Sequence, residues 1–345
     1  MTTIRLGPGE VYEVPEGHTG TLLVDAHGTP TSPAVIRPAT GRATLSADGD
    51  VLVLCNPRHV EVHDLDIIGT DRGDGVLVWV TEPGAEGVHL HGLSVRGARN
   101  GIAVGSELAD GLRDVEISHC LVTDCLLQGI LTYGPQAPDH GLSGVRVTHC
   151  RVEGTRGDPD LTDNHSGSGI VLGSVVGGEV ADCVAGGNGA GCRASEGPEG
   201  IFLYDCTDVA IRRCVAEDNR TGGPADGGGL GIDVRCADCL IEDCTATGND
   251  GAGILLWNLP GLRSGHHIVR RNHLAGNARR TTWHGEVTVA PSISSVEVTG
   301  NRVEPRPGGV GIIVGKSATN VLDTDNLFLS DETVRQVSIR MPGHR

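Results

Sequence analysis

Ile211-Arg212-Arg213-Cys214-Val215-Ala216, followed by Gly231-Ile232-Asp233-Val234-Arg235, is one period of a phrase that recurs through this 345-residue chain. The slot of Cys214 is filled elsewhere by Leu65, Leu93, Cys120, Cys150, Cys183, Cys244, Asn272, Asn301 and Asn326, in steps of 25 to 33 residues. Three residues earlier stands an aliphatic residue in every copy up to that of Asn301, from Val62 and Leu90 to Val269 and Val298. Two residues later comes another, from Ile67 and Val95 to Val303 and Phe328. Three apolar ladders in step at one period describe a single supersecondary unit repeated along the chain.

The second half of the unit, a glycine and then alternating apolar residues, recurs as Gly75-Val76, Gly101-Ile102, Gly129-Ile130, Gly169-Ile170, Gly200-Ile201, Gly231-Ile232, Gly253-Ile254 and Gly311-Ile312. Within each unit the period is 2, which predicts strands, and the units are too short for a helical crossover. Glycine and asparagine fall between the strands, where a tight bend needs φ > 0. Stacked at ~4.8 Å per coil, such strands form parallel sheets along a solenoid. The expected architecture is all-β, one domain, about ten coils. Residues 1–34 are expected as a lead-in cap, 35–328 as the solenoid and 329–345 as a C-terminal cap or tail.

The pattern Val-x-Ile-x-x-Cys/Asn-x-Val, then Asn-x-x-x-Gly-Ile, resembles the repeat of the right-handed parallel β-helix, pectate-lyase-like superfamily over residues 35–328. Gly28-Thr29-Pro30 and Ala34-Val35-Ile36-Arg37 look like the first coil of many of its members. The resemblance implies an enzyme that binds carbohydrate along one sheet: a lyase, glycosidase or epimerase. The sequence has no paired Asp-Asp with a following His-Gly as in polygalacturonases, and no Asp-Pro-His as in the alginate epimerases.

Composition narrows the partners. A formal charge of −17 with a single lysine, Lys316, argues against nucleic acid and anionic membranes, and mildly against a polyanionic substrate. Met1-Thr2-Thr3-Ile4-Arg5-Leu6 shows no basic segment leading into an apolar run, so the expectation is a cytoplasmic protein. Eleven cysteines, five of them in the ladder slot, fit free thiols better than a disulfide framework. Cys236-Ala237-Asp238-Cys239 lacks a second pair to complete a zinc site, so neither metal nor cofactor is expected. The residues one before the ladder, among them His149, Asp182, Arg213, Asp243 and Arg271, alternate in charge and are expected to hold register between coils.

Alternation also says which residues leave the solenoid on the Gly-Ile face: Trp79, Leu131 and Tyr133, Phe202 and Tyr204, Asp233 and Arg235, Leu255 and Trp257. Five of the eight aromatic residues fall there, in a chain otherwise poor in them. Insertions flank the same strands on both sides: residues 154–168, 187–199, 220–229 and 278–284 before them, and 81–87, 106–111, 134–141 and 258–265 after. A sheet walled by loops is a groove, with the aromatic rings as stacking platforms. Asp233 and Arg235 are the candidate proton-transfer group and electrostatic stabiliser, the plainer reading being a surface ion pair. Tyr204 and His165 are further catalytic candidates. Glu199 or Asp226 would complete a carboxylate pair with Asp233. Trp257, Tyr133, Phe202, Trp79, Leu255, Glu199 and Asp226 are the candidate substrate contacts.

The leading functional expectation is a non-redox acid–base enzyme on a sugar-like small molecule. An intracellular tailoring enzyme (cyclase, isomerase or dehydratase) on a more apolar metabolite is the alternative, favoured by Leu131, Val171, Phe202 and Leu255. A binding solenoid without chemistry is the third, and an exposed sheet face would also allow a homo-oligomer.

Overall fold

A computed structural model describes residues 1–329 apart from Ala225 and Thr282, together with the backbone of the strand Val334–Ile339. It contains strands and no helix among the described residues, and so no helix long and apolar enough to cross a membrane. One coil shows the plan: Gln128–Tyr133, then Leu142–Thr148, then Arg151–Glu153. Each strand pairs in parallel with its counterparts in the coils before and after it. Three faces result. The first two merge into a 23-stranded sheet, because the 14-residue strands Ser168–Ala181 and Glu199–Arg212 run through both. The third is a separate 12-stranded sheet, and the solenoid makes about 11 turns. Pairing is already parallel in the lead-in segment, where Thr2–Leu6 lies against Leu22–Ala26. Of the final segment only Val334–Ile339 is described, paired in parallel with Val310–Gly315; the rest of 330–345 lies outside the described residues.

The ladders read from the sequence line one continuous core. Val62, Leu90, Ile117, Val147, Val180, Ile211, Ile241 and Val269 are all fully enclosed. Burying each such side chain contributes about 1.5–3 kcal/mol relative to exposure. Cysteine and, later in the chain, asparagine share one slot, and both donate to carbonyls of the coil before. Cys214 Sγ lies 3.4 Å from Val180 O, and Asn272 Nδ2 lies 3.0 Å from Ile241 O. All eleven cysteines are free thiols.

The residue just before that slot makes the corner between the second and third faces. Asp64, His119, His149, Asp182, Arg213, Asp243 and Arg271 all adopt φ between 51° and 56°. Aspartate and histidine tolerate the left-handed region better than most side chains. The expected charge register forms on top of this bend: Arg213 grips Asp182 at 2.8 and 2.9 Å, and Arg271 grips Asp243 at 2.8 and 2.9 Å. Earlier in the stack His91, His119 and His149 follow one another at ring separations of 5.0 and 4.8 Å.

One expectation about register is corrected. Gly231-Ile232 does not align with Gly200-Ile201 and Gly253-Ile254. Leu230 pairs with Ile201 and Ile254, so the matching phrase is Gly229-Leu230. Gly229 has the interior surroundings of Gly200: each Cβ position would meet the Nδ2 of a buried asparagine, Asn249 and Asn219 respectively, and a neighbouring alanine. The slip is two residues, which preserves the face on which each side chain lies. Gly231 therefore stands on the outer face between Phe202 and Leu255. Asp233 follows the end of its strand, and Arg235 sits in the next turn with φ 57°.

Candidate active site

The outer row on the Gly-Ile face runs Leu77, Ala103, Leu131, Val171, Phe202, Gly231, Leu255. Over its second half the insertions fold in and enclose a cavity of about 420 Å³. Asn164 and His165, Glu196 and Gly197, Asp226, Leu259 and Trp283 come from five different insertions. Leu131, Val171, Phe202, Tyr204, Asp233, Leu255 and Trp257 come from the solenoid itself. Nine of the residues expected from sequence thus line one cavity: Asp233, Arg235, Tyr204, His165, Trp257, Phe202, Leu255, Glu199 and Asp226. Trp79 and Tyr133 do not line it. They lie further along the face and pack on each other at 5.6 Å.

The carboxyl group of Glu199 rests on the floor at Gly231. A Cβ at that position would fall 1.8 Å from Glu199 Oε2, inside any contact distance, so only glycine leaves room for it. Glu199 Oε2 is buried with no hydrogen-bond partner. Burial, then the nearby Asp226 and Asp233, hold this carboxyl well above the usual carboxylate range. Asp233 is pushed up to about 7, chiefly by burial, with Asp226 and Glu196 adding to it and the Val234 amide opposing it. That amide donates to Asp233 Oδ1 at 2.7 Å. Asp226 takes the amide of Gly197 at 2.9 Å, which ties two insertions together.

A group whose folded pKa is raised contributes stability below its unfolded pKa and loses it as pH rises through the folded value. For Asp233 that window runs from about 4 to about 7. Asp233→Asn keeps the hydrogen bond from Val234 and cannot ionise. It is expected to be more stable than the parent at pH 8 by about 2 kcal/mol, after discounting for solvent screening, and equal to it near pH 4. Thermal unfolding of both proteins across that range is the measurement, and an identical difference at both ends would contradict the assignment.

Tyr204 lies flat over Gly173, where a Cβ would sit 2.0 Å from the ring, and its hydroxyl points to Thr132 O at 3.5 Å. Burial keeps the phenol protonated. His165 meets the edge of Phe202 at 5.2 Å and 73°, with Nδ1 3.4 Å from Gln128 Nε2 and 3.5 Å from Ser168 Oγ. Burial lowers its pKa to about 4, so the imidazole is neutral at pH 7.

Arg235 does not form a pair with Asp233. Its Nε and Nη2 hold Asp205 at 2.5 and 2.7 Å in a two-pronged contact. Asp205 also accepts the Ala137 amide at 3.0 Å, which anchors the 134–141 loop. Sequence reasoning missed Asp205. Alternation from Leu203 assigns it to the core, and an acid at a core position was the available signal of a bend; its φ is 51°. Trp283, from an insertion with no visible partner in the sequence, packs as Trp257 does against Ala290 and Ile313. Among the described residues no three His, Cys, Asp or Glu are grouped to hold a metal ion.

Residues 75–263 match the family described as "Right handed beta helix region", more than half of the chain. The chain belongs to this family. No sequence among the curated proteins matches it. Among solved structures, a GH136 lacto-N-biosidase from Eubacterium ramulus superposes with a TM-score of 0.67 at 13% identity, covering 96% of this chain and 63% of that one. The chain thus spans less than two thirds of that protein's length. A mutant of the periplasmic alginate epimerase AlgG gives 0.57 at 13% identity over 93% and 79%. DFA-IIIase from Arthrobacter chlorophenolicus A6 gives 0.52 at 12% over 99% and 89%. At such identities the likeness is one of fold.

Proposed function

We infer that this β-helix is an acid–base enzyme that binds a sugar-like substrate in the cavity over Phe202, Gly231 and Leu255. The observation that carries the reading is Glu199, a carboxyl held protonated beside Asp233, which titrates near neutrality. Carboxyls whose environments push them into different protonation states are what acid–base catalysis at neutral pH requires. In glycoside hydrolysis one carboxyl protonates the leaving oxygen while another activates water or attacks the sugar. Glu199 is assigned as the proton donor and Asp233 as the base or nucleophile. Tyr204 and the neutral His165 offer hydrogen bonds to substrate hydroxyls, and Trp257 and Phe202 offer apolar faces to a sugar ring. Trp79 and Tyr133 form a further platform for a longer substrate.

The structural neighbours support the general kind: their names describe a biosidase and an alginate epimerase. The floor of Leu131, Val171 and Leu255 and the rim residue Leu259 favour a second reading, a tailoring enzyme on an apolar metabolite. Aryl glycosides of the common hexoses and pentoses, assayed between pH 5 and 8, separate the two. Release of the aryl group from at least one is expected, rising as Asp233, pushed up to about 7, ionises. Silence from all of them, with tight binding of an apolar dye that changes Trp257 and Trp283 fluorescence, would transfer the assignment to the second reading.

A further inference from the structure

We propose that the cavity selects neutral glycosides and rejects uronates, so that the reaction is hydrolysis of a neutral sugar and not elimination or epimerisation at a uronic acid. The inference rests on the reading of the cavity as a sugar site and concerns its charge. Four carboxyl groups line the cavity, from Glu196, Glu199, Asp226 and Asp233. One guanidinium joins them, and Arg235 is already matched by Asp205, whose side chain is 3% exposed. The lining imidazole of His165 is neutral at pH 7, and so is His284 behind the wall, 3.7 Å from Asp226 and fully enclosed. Among the described residues that line the cavity, the single guanidinium thus has its charge already matched by a buried acid.

Elimination or epimerisation at a uronic acid draws a proton from the carbon beside the carboxylate, and negative charge builds up on that carboxylate. Such an intermediate needs positive groups or strong donors aimed at its oxygens. Here the cavity offers one protonated carboxyl, Glu199, with the acids Glu196, Asp226 and Asp233 around it and, among the described residues, no free positive group. A neutral sugar meets different demands. Gln128 and Asn164 offer amide groups for hydroxyls, and hydrolysis builds positive charge on the ring, which an ionised Asp233 stabilises. The chain's net charge of −17 acts in the same direction at long range.

The test uses the full chain and matched disaccharides that differ at C6: galactobiose against digalacturonate, mannobiose against dimannuronate, and cellobiose against cellobiouronic acid. Binding is followed by tryptophan fluorescence at low salt, with Trp257→Phe as the control for the site. The neutral member of at least one pair is expected to bind at least about tenfold more tightly than its acid. The gap should narrow as salt screens the charges. Glu196→Gln, which removes one of the four lining carboxyls at an exposed loop position, should narrow it further by strengthening the acid's binding more than the neutral sugar's. Equal or tighter binding of the acid in the responding pairs would overturn the inference and leave the sugar site standing. No response to any disaccharide would count against the sugar site itself.

Discussion

Glu199→Gln is expected to leave the solenoid folded and to cut turnover of a glycoside substrate by about 10²–10⁴-fold, the usual contribution of a positioned proton donor. The amide fits the same space over Gly231 and carries no transferable acidic proton. The residual rate should depend on the leaving group. A dinitrophenyl glycoside departs without protonation, so its rate should fall much less than that of an alkyl glycoside. That contrast separates a proton donor from a residue that merely shapes the cavity, which would slow both substrates alike. The alkaline limb of the pH profile should vanish with the carboxyl, because in the parent it reports loss of the Glu199 proton. Unaltered turnover of an alkyl glycoside by the variant would end the assignment. Unfolding temperature should not drop, since the replacement removes a buried ionisable group with an unpartnered oxygen.

Arg235→Ala should instead cost stability, on the order of 3–5 kcal/mol, because it strands Asp205. The Asp205 carboxylate has two partners in the described structure, the Arg235 guanidinium and the Ala137 amide. Its side chain is only 3% exposed while the guanidinium covers it. Denaturant unfolding is the measurement, with the change expected in the midpoint and not in the slope. The double variant Asp205→Asn/Arg235→Ala should recover much of the loss, since the uncompensated buried charge goes with the arginine. If Arg235→Ala unfolds like the parent, the pair is a solvated contact of small energy. Arg235 thus acts on the site through the backbone it fastens: the turn that carries Asp233, and the 134–141 loop reached through Asp205.

The two variants also mark what each level of structure contributes. Glu199 and Asp226 could be picked out as candidates because acids clustered in insertions that precede one strand of the repeat, and Asp233 because alternation set it on the outward side of that strand phrase. Their convergence could not be read, since it depends on how far each loop folds over the sheet. Trp79 and Tyr133 satisfied the same alternation as Trp257, yet the enclosed cavity is flanked by the later insertions and leaves them outside its lining. Asp205 was hidden because the bend at φ 51° breaks the alternation from which its direction was inferred.

The sequence by itself determined the coil, the three apolar ladders, the slot shared by cysteine and asparagine, and the face on which the candidate residues stand. Each of these follows from a period, and a period is a local property repeated often enough to be unambiguous. Only the tertiary structure decided the register at Gly227-Gly228-Gly229-Leu230-Gly231-Ile232, where two glycine–aliphatic phrases lie two residues apart and both satisfy the alternation. The choice belongs to the neighbouring coils. Asn249 fits against a glycine at 229, and the Glu199 carboxyl fits over a glycine at 231. With that register Asp233 comes to rest beyond its strand, between Tyr204 and Trp257, and Arg235 turns to Asp205. Direction on a strand is inherited from the pattern, whereas partnership across the stack depends on which side chains have room.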